Sequence, residues 1–118
     1  MTERRVEIVR VYERVTEIIF QRLGPTFGTR TIAAIAKNVQ ARQSKSRRLL
    51  AYLAISERGI DWSGFRDHAD EVSEEEVGES LEEFLDEFFE ALSNLIGRLI
   101  LGQLFKEAEE SINRGDDR

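Results

Sequence analysis

The sequence predicts an all-α fold, a four- or five-helix bundle that ends in a long apolar C-terminal helical region. Apolar residues recur at three- and four-residue steps over most of the 118 residues, which is the spacing of one helix face. The chain contains one proline and no long Gly/Ser or Pro stretch, so no internal linker is indicated. We therefore expect a single helical domain over residues 1–112 and a frayed C-terminal tail over residues 113–118.

The first two helices are indicated by periodicity and by their stop and start signals. The first is expected from about Glu3 to Leu23, because Gly24 favours a left-handed helix end and Pro25 cannot continue the helical hydrogen-bond ladder. The second is expected to begin near Thr29, a good N-cap residue, and to continue past Val39.

The middle of the chain is less clearly patterned. The alternation from Leu49 to Ile55 is compatible either with helical turns or with a short strand, and Gly59 ends the segment in both cases. Trp62 and Phe65 follow in a loop or a single helical turn, and we expect both side chains to enter the core.

The last helical region begins with a recognisable capping pattern. Ser73 followed three residues later by Glu76 forms a capping box, in which each side chain bonds a free backbone amide of the first turn. Apolar residues then follow helical spacing to about Glu110, in one helix or in two joined near Ser93 and Asn94. The acidic residues between Glu74 and Glu90 alternate with this apolar set and are expected to form its solvated face.

The end of this region carries more apolar residues than one groove requires. A helix that is apolar nearly all round must be buried on all sides. We expect a second copy to supply part of that cover, with help from the N-terminal helix; the alternative is a central helix wrapped by its own chain. Two glycines would permit close backbone approach at such a contact. The predicted homodimer interface consists of Gly97, Ile100, Leu101, Leu104 and Phe105.

Charge is distributed unevenly along a chain whose net charge is −6. No acidic residue occurs from Ile18 to Ser56, and the stretch 30–48 is basic, whereas the second half of the chain is acidic. A candidate anion or nucleic-acid patch follows: Arg42, Lys45, Arg47 and Arg48. The apolar segment after the patch does not resemble a recognition helix, and the acidic helix could neutralise these charges within the fold or across a dimer.

The sequence supplies no catalytic, cofactor-binding or metal-binding constellation. His68 is the only histidine, cysteine is absent, and the glycines near Pro25 lack the lysine and spacing of a phosphate loop. We therefore expect a protein that is not an enzyme and that uses no cofactor. A small-molecule sensor is the remaining chemical alternative, with an apolar pocket lined by Trp62, Phe65, Phe84 and Phe88.

A cytoplasmic location is expected by elimination. The N-terminal residues lack the apolar core of a signal peptide, and disulfide-forming cysteines are missing. The most apolar stretch, Leu92 to Phe105, is too short and too polar on its own to span a bilayer, so no membrane partner is expected.

Three stretches resemble a helical module that accompanies sensor kinases and related ATPases in archaeal and bacterial signalling proteins. They run from Leu53 to Phe65, from Leu92 to Leu104, and from Phe20 to Gly24, where the first helix ends. The resemblance implies a sensory or scaffolding role and carries over no catalytic residue. Taken together, the sequence favours a non-enzymatic regulatory or scaffolding module that acts as a homodimer and binds an unidentified protein partner. A nucleic-acid-associated regulator is the alternative.

Overall fold

The structure, a computed structural model, describes residues 3–113; most of the predicted tail at 113–118 lies outside these residues. The mainly helical class is confirmed. The described residues form four α-helices, and they also form a two-stranded sheet that the all-α prediction did not contain. In chain order the elements are α1 (Glu3–Phe27), α2 (Thr29–Gln43), β1 (Ala54–Ser56), β2 (Gly59–Asp61), α3 (Ser63–His68) and α4 (Glu74–Asn113).

Helix α1 extends one turn beyond its predicted end at Leu23. Pro25 lies inside the helix. Because proline has no backbone N–H, the carbonyl of Gln21, four residues earlier, does not receive a helical hydrogen bond from it. The helix ends instead at Gly28, whose φ of 89° is left-handed and whose N–H donates to the carbonyl of Gly24 over 2.8 Å. Gly24 serves packing: a Cβ there would lie 2.8 Å from Cγ2 of Thr29.

The ambiguous segment after α2 contains both of the structures that its pattern allowed. A short 3-10 helix, Arg48–Tyr52, buries Leu49 and Leu50, and strand β1 follows. Gln40 of α2 holds the segment in place, because its Nε2 donates to the carbonyls of Leu50 and Leu53 over 2.7 Å each.

Strands β1 and β2 form a tight antiparallel hairpin. Ser56 pairs with Gly59, so the loop consists of Glu57 and Arg58, and the φ of 121° at Gly59 favours glycine there. An isolated two-stranded hairpin is marginal in water. This one is stabilised because β1 contacts α2 and β2 contacts α1.

The first half of α4 organises the core. The hydroxyl of Ser73 accepts the backbone N–H of Glu76 over 3.0 Å, which confirms the predicted helix start. The helix then continues without a break to Asn113, so the alternative of two helices is wrong. Helix α4 contacts α1 and α2, and it shares one core with Trp62 and Phe65, both of which are buried as predicted. The buried apolar side chains of α4 repeat at three- and four-residue steps. They are Val77, Leu81, Phe84, Phe88 and Leu92.

We predict that Val9→Ala and Val11→Ala on α1 have different effects on stability. Val9 is 1% exposed, whereas Val11 is 60% exposed. Removing buried methyl groups from Val9 leaves a cavity and should lower the free energy of unfolding by about 2 kcal/mol. The same change at Val11 should alter it by less than about 0.5 kcal/mol.

Urea denaturation followed by circular dichroism measures both variants. The two changes remove the same atoms from the same helix, so helix propensity contributes equally to both. Equal destabilisation would contradict the burial of the Val9 face against the core.

Candidate functional site

The second half of α4 leaves the core altogether. Leu92 is its last buried residue, and none of the residues from 93 to 111 is buried. We call residues 93–113 the arm. At about 1.5 Å per residue the arm is roughly 30 Å long. Its projection accounts for the elongated shape of the described residues, which measure 67 × 24 × 21 Å.

The arm exposes a large apolar surface. Leu104 is 55% exposed and Phe105 is 72% exposed; Leu99, Ile100 and Leu101 lie in the same range. Because a large side chain presents on the order of 150–200 Å², the arm offers on the order of 500 Å² of apolar surface. The four large residues of the predicted dimer interface are therefore all accessible, Gly97 is half-buried, and the alternative in which the chain wraps its own last helix does not occur in residues 3–113.

The solvent side of α4 changes chemistry where the arm begins. One row of residues runs along α4 at steps of three or four positions. Its members are acidic and exposed beside the core, and they are small or apolar along the arm. The exposed acidic part is Glu75, Glu79, Glu82, Asp86 and Glu90; the part on the arm is Ser93, Gly97, Ile100, Leu104, Ala108 and Ser111. The spacing of three and four residues is that of a helix–helix contact seam.

Arg47 ties the turn after α2 to the acidic part of α4. Its Nη1 donates to Glu76 over 2.6 Å and to Glu79 over 3.3 Å, and its Nη2 donates to Glu83. These hydrogen bonds lower the pKa of the Glu83 carboxyl and raise the pKa of the guanidinium. Glu76 therefore has two roles. Its carboxylate accepts a hydrogen bond from Arg47, and its backbone N–H donates to Ser73 in the cap of α4.

A second contact extends this ion-pair network along α4. The guanidinium of Arg42 donates to Glu87 through Nε over 2.6 Å and through Nη2. Gln43 donates to the same carboxylate over 2.7 Å and to the backbone carbonyl of Glu83 over 3.0 Å. The network holds α2 and the turn that follows it against α4.

The candidate nucleic-acid patch is therefore split. Arg42 and Arg47 are paired with carboxylates of α4, whereas Lys45 and Arg48 are exposed and make no ion pair in the described part of the chain. Phosphate binding depends on cations that are free to replace counterions. The acidic helix neutralises half of the patch within the fold.

The four aromatic residues predicted to line a pocket pack against the core instead. Trp62 is 2% exposed and meets Phe65 edge-on at 5.5 Å, and the Phe84 and Phe88 rings are 5.7 Å apart. In the described part of the chain, none of them lines either of the two grooves beside α1.

His68 lies in a local contact rather than in a polar constellation. Its ring stacks on Tyr52 at 3.7 Å, and its Nδ1 is 2.7 Å from Glu71. Within residues 3–113 no group of three or more His, Asp or Glu side chains is placed to hold a metal ion.

A groove of about 640 Å³ lies between α1 and β2. Its floor includes Val9, Phe20 and Ile60, and charged side chains line its walls. We call it the α1–β2 groove. Sequence reasoning did not find it, because its second wall is the hairpin and the start of α3, and the hairpin was not predicted.

By length and composition alone, α4 is able to cross a membrane. An 18-residue window within Glu74–Ser111 has a mean hydropathy of 1.2 and is 11% buried. Because α4 is continuous, its apolar part extends beyond Leu92–Phe105, so the short length of that stretch does not exclude a membrane span. One such helix is weak evidence, since core helices meet the same criterion.

We predict that Arg47→Gln lowers the free energy of unfolding by about 1 kcal/mol, because it removes charge-assisted hydrogen bonds to three carboxylates. Its neighbour Arg48 is exposed and unpaired among the described residues. Arg48→Gln is therefore the matched control and should change the free energy of unfolding by less than about 0.5 kcal/mol. Chemical denaturation at pH 7 measures both values.

The same pair of variants should differ in pH dependence. The pKa of Glu83 is lowered in the folded state, so its contribution is present above its unfolded pKa and is lost as the pH falls through the folded pKa. Wild-type protein and Arg48→Gln should therefore lose more stability than Arg47→Gln between about pH 5 and pH 3. Parallel pH profiles for all three proteins would show that Arg47 does not perturb these carboxylates.

Comparison with protein-family models, with curated protein sequences and with solved structures gives no match for this chain. The arm, the ion-pair network and the α1–β2 groove are the features of this protein that bear on its function.

Proposed function

We propose that this protein is a non-enzymatic regulatory or scaffolding module that acts as a homodimer through its arm and binds partner proteins. The observation that supports this proposal is the apolar surface of the arm from Leu99 to Phe105, which residues 3–113 leave exposed. Signalling and a cytoplasmic location, both inferred from the sequence, belong to the same proposal.

The size of the apolar surface supports self-association. Patches on monomeric proteins reach about 300–600 Å², and the largest are commonly functional. Two arms would together bury on the order of 1,000 Å², which is the size at which a specific interface becomes plausible. The four- or five-helix bundle suggested by the sequence would then be completed between copies, with the arm of one chain packed on helices of the other.

The charges on and around the arm favour a protein partner over a bilayer. Arg98 interrupts the apolar stretch, and a charged residue at the centre of a membrane helix costs about 2.5–3.5 kcal/mol. Acidic residues flank the stretch at Glu90 and from Glu107 onward. Helices that lie on membrane surfaces are instead rich in Lys and Arg, which attract anionic lipids.

We predict that wild-type protein is a dimer in light scattering at micromolar concentrations and that Leu104→Glu is a monomer. A carboxylate at this position would have to lose its hydration in an apolar contact. Ala34→Glu is the control, since it adds the same charge at an exposed position of α2, outside the arm, and should remain dimeric.

A wild-type monomer at every concentration would refute the homodimer. Sedimentation with neutral phosphatidylcholine vesicles, lost in Leu104→Glu, would then assign the arm to a membrane. The circular dichroism spectra of the three proteins should agree, which excludes unfolding as the cause of a change in mass.

A further inference from the structure

We propose that the end of the arm binds in the α1–β2 groove of a second copy, so that the two chains exchange their arms. This inference rests on the proposed homodimer and specifies its geometry. Five of the eight large apolar side chains that are exposed among the described residues lie on the arm, and the α1–β2 groove has apolar residues at its base.

The α1–β2 groove carries excess positive charge. Glu13 pairs with Arg66 over 2.7 Å, and Glu17 pairs with Arg14, so both of its carboxylates are engaged. Arg10 and Arg58 line the groove and have no carboxylate partner in the described part of the chain. One stands on the wall formed by α1 and the other on the wall formed by the hairpin, so an occupant with negative charge along both sides would fit.

The end of the arm has the complementary pattern. Leu101, Leu104 and Phe105 share one side of the helix with Ala108, since these positions are three or four residues apart. At about 100° per residue, Glu107 lies on one flank of this apolar side and Glu109 lies on the other. These carboxylates are exposed and make no ion pair within residues 3–113. An amphipathic helix of this kind, placed apolar side down, puts one carboxylate against each wall of the groove.

The two elements also match in length. The residues of α1 that line the groove run from Val6 to Gln21, which is roughly 22 Å of helix. The segment of the arm from Gly97 to Ser111 has nearly the same length, roughly 21 Å. The apolar side formed by Leu101, Leu104, Phe105 and Ala108 would thus lie within one groove along its length.

The occupant must come from another copy. Helix α4 is continuous from the core to Asn113, so the arm points away from its own α1 and cannot turn back without breaking the helix. When each arm binds in the groove of the other copy, the dimer contains two identical arm–groove contacts, and neither an arm nor a groove is left for a third chain. Parallel pairing of the arms side by side is less favourable, because it brings Glu90 and Asp86 of one copy next to the same carboxylates of the other.

Charge reversal tests this geometry. Arg10→Glu/Arg58→Glu in the groove and Glu107→Arg/Glu109→Arg on the arm should each raise the dissociation constant of the dimer at least tenfold at low salt. Combining all four substitutions should restore it to within about threefold of wild type. Lys37→Glu/Arg48→Glu is the control, since these exposed, unpaired residues lie outside the groove, and it should leave the dissociation constant unchanged.

The possible results separate this inference from the proposed function. If the groove variant dimerises as wild type does and Leu104→Glu is monomeric, the arms pair with each other; the docking is then overturned, and the homodimer stands. Failure of the combined variant to recover, with all variants folded by circular dichroism, also overturns the docking. A wild-type monomer refutes the proposed function itself. Analytical ultracentrifugation over a range of concentrations gives the dissociation constants.

Discussion

Five apolar side chains of α4, from Val77 to Leu92, form the core face of a helix that contacts α1, α2 and the 3-10 helix Arg48–Tyr52, and the remaining elements are placed by this contact. The hairpin is too small to be stable by itself, and it is held because β1 lies on α2 and β2 lies on α1. Burial of Phe84 and Phe88 also explains why neither is available to line a ligand pocket. The wall of the α1–β2 groove exists only because the core holds the hairpin beside α1.

The same helix then continues where no core remains. Backbone hydrogen bonding propagates the helix one residue at a time, so α4 does not have to end where its tertiary contacts end. The same row of helix positions is acidic in the first half of α4 and small or apolar along the arm. A protein that keeps such a surface in water needs something to cover it, which is why the proposed function starts from the arm rather than from a side-chain constellation.

The charge asymmetry of the chain is resolved largely inside the fold. Arg47 and Arg42 of the basic stretch meet glutamates of α4, so the segment that looked suited to phosphates instead fastens α2 to the core helix. Lys45 and Arg48 of this stretch stay unpaired among the described residues, and further uncompensated charge lies outside it: Arg10 and Arg58 in the groove, and the carboxylates at the end of the arm. Within one chain the arginines of the groove and the carboxylates of the arm lie apart. Contact between two chains is the simplest way to bring these opposite charges together.

Local patterns determined much of this structure from the sequence alone. Apolar spacing identified the helices, the pair Ser73 and Glu76 marked the start of α4, and the surplus of apolar residues after Leu92 singled out the arm, because each signal depends on neighbours within a few turns. Contacts between distant residues could not be read in this way. Only the packed chain decided that α1 passes Pro25 to end at Gly28, that residues 54–61 form a hairpin, and that Arg47 meets carboxylates 29 to 36 positions further on. These outcomes depend on which surfaces the core brings together, and helical periodicity carries no information about that.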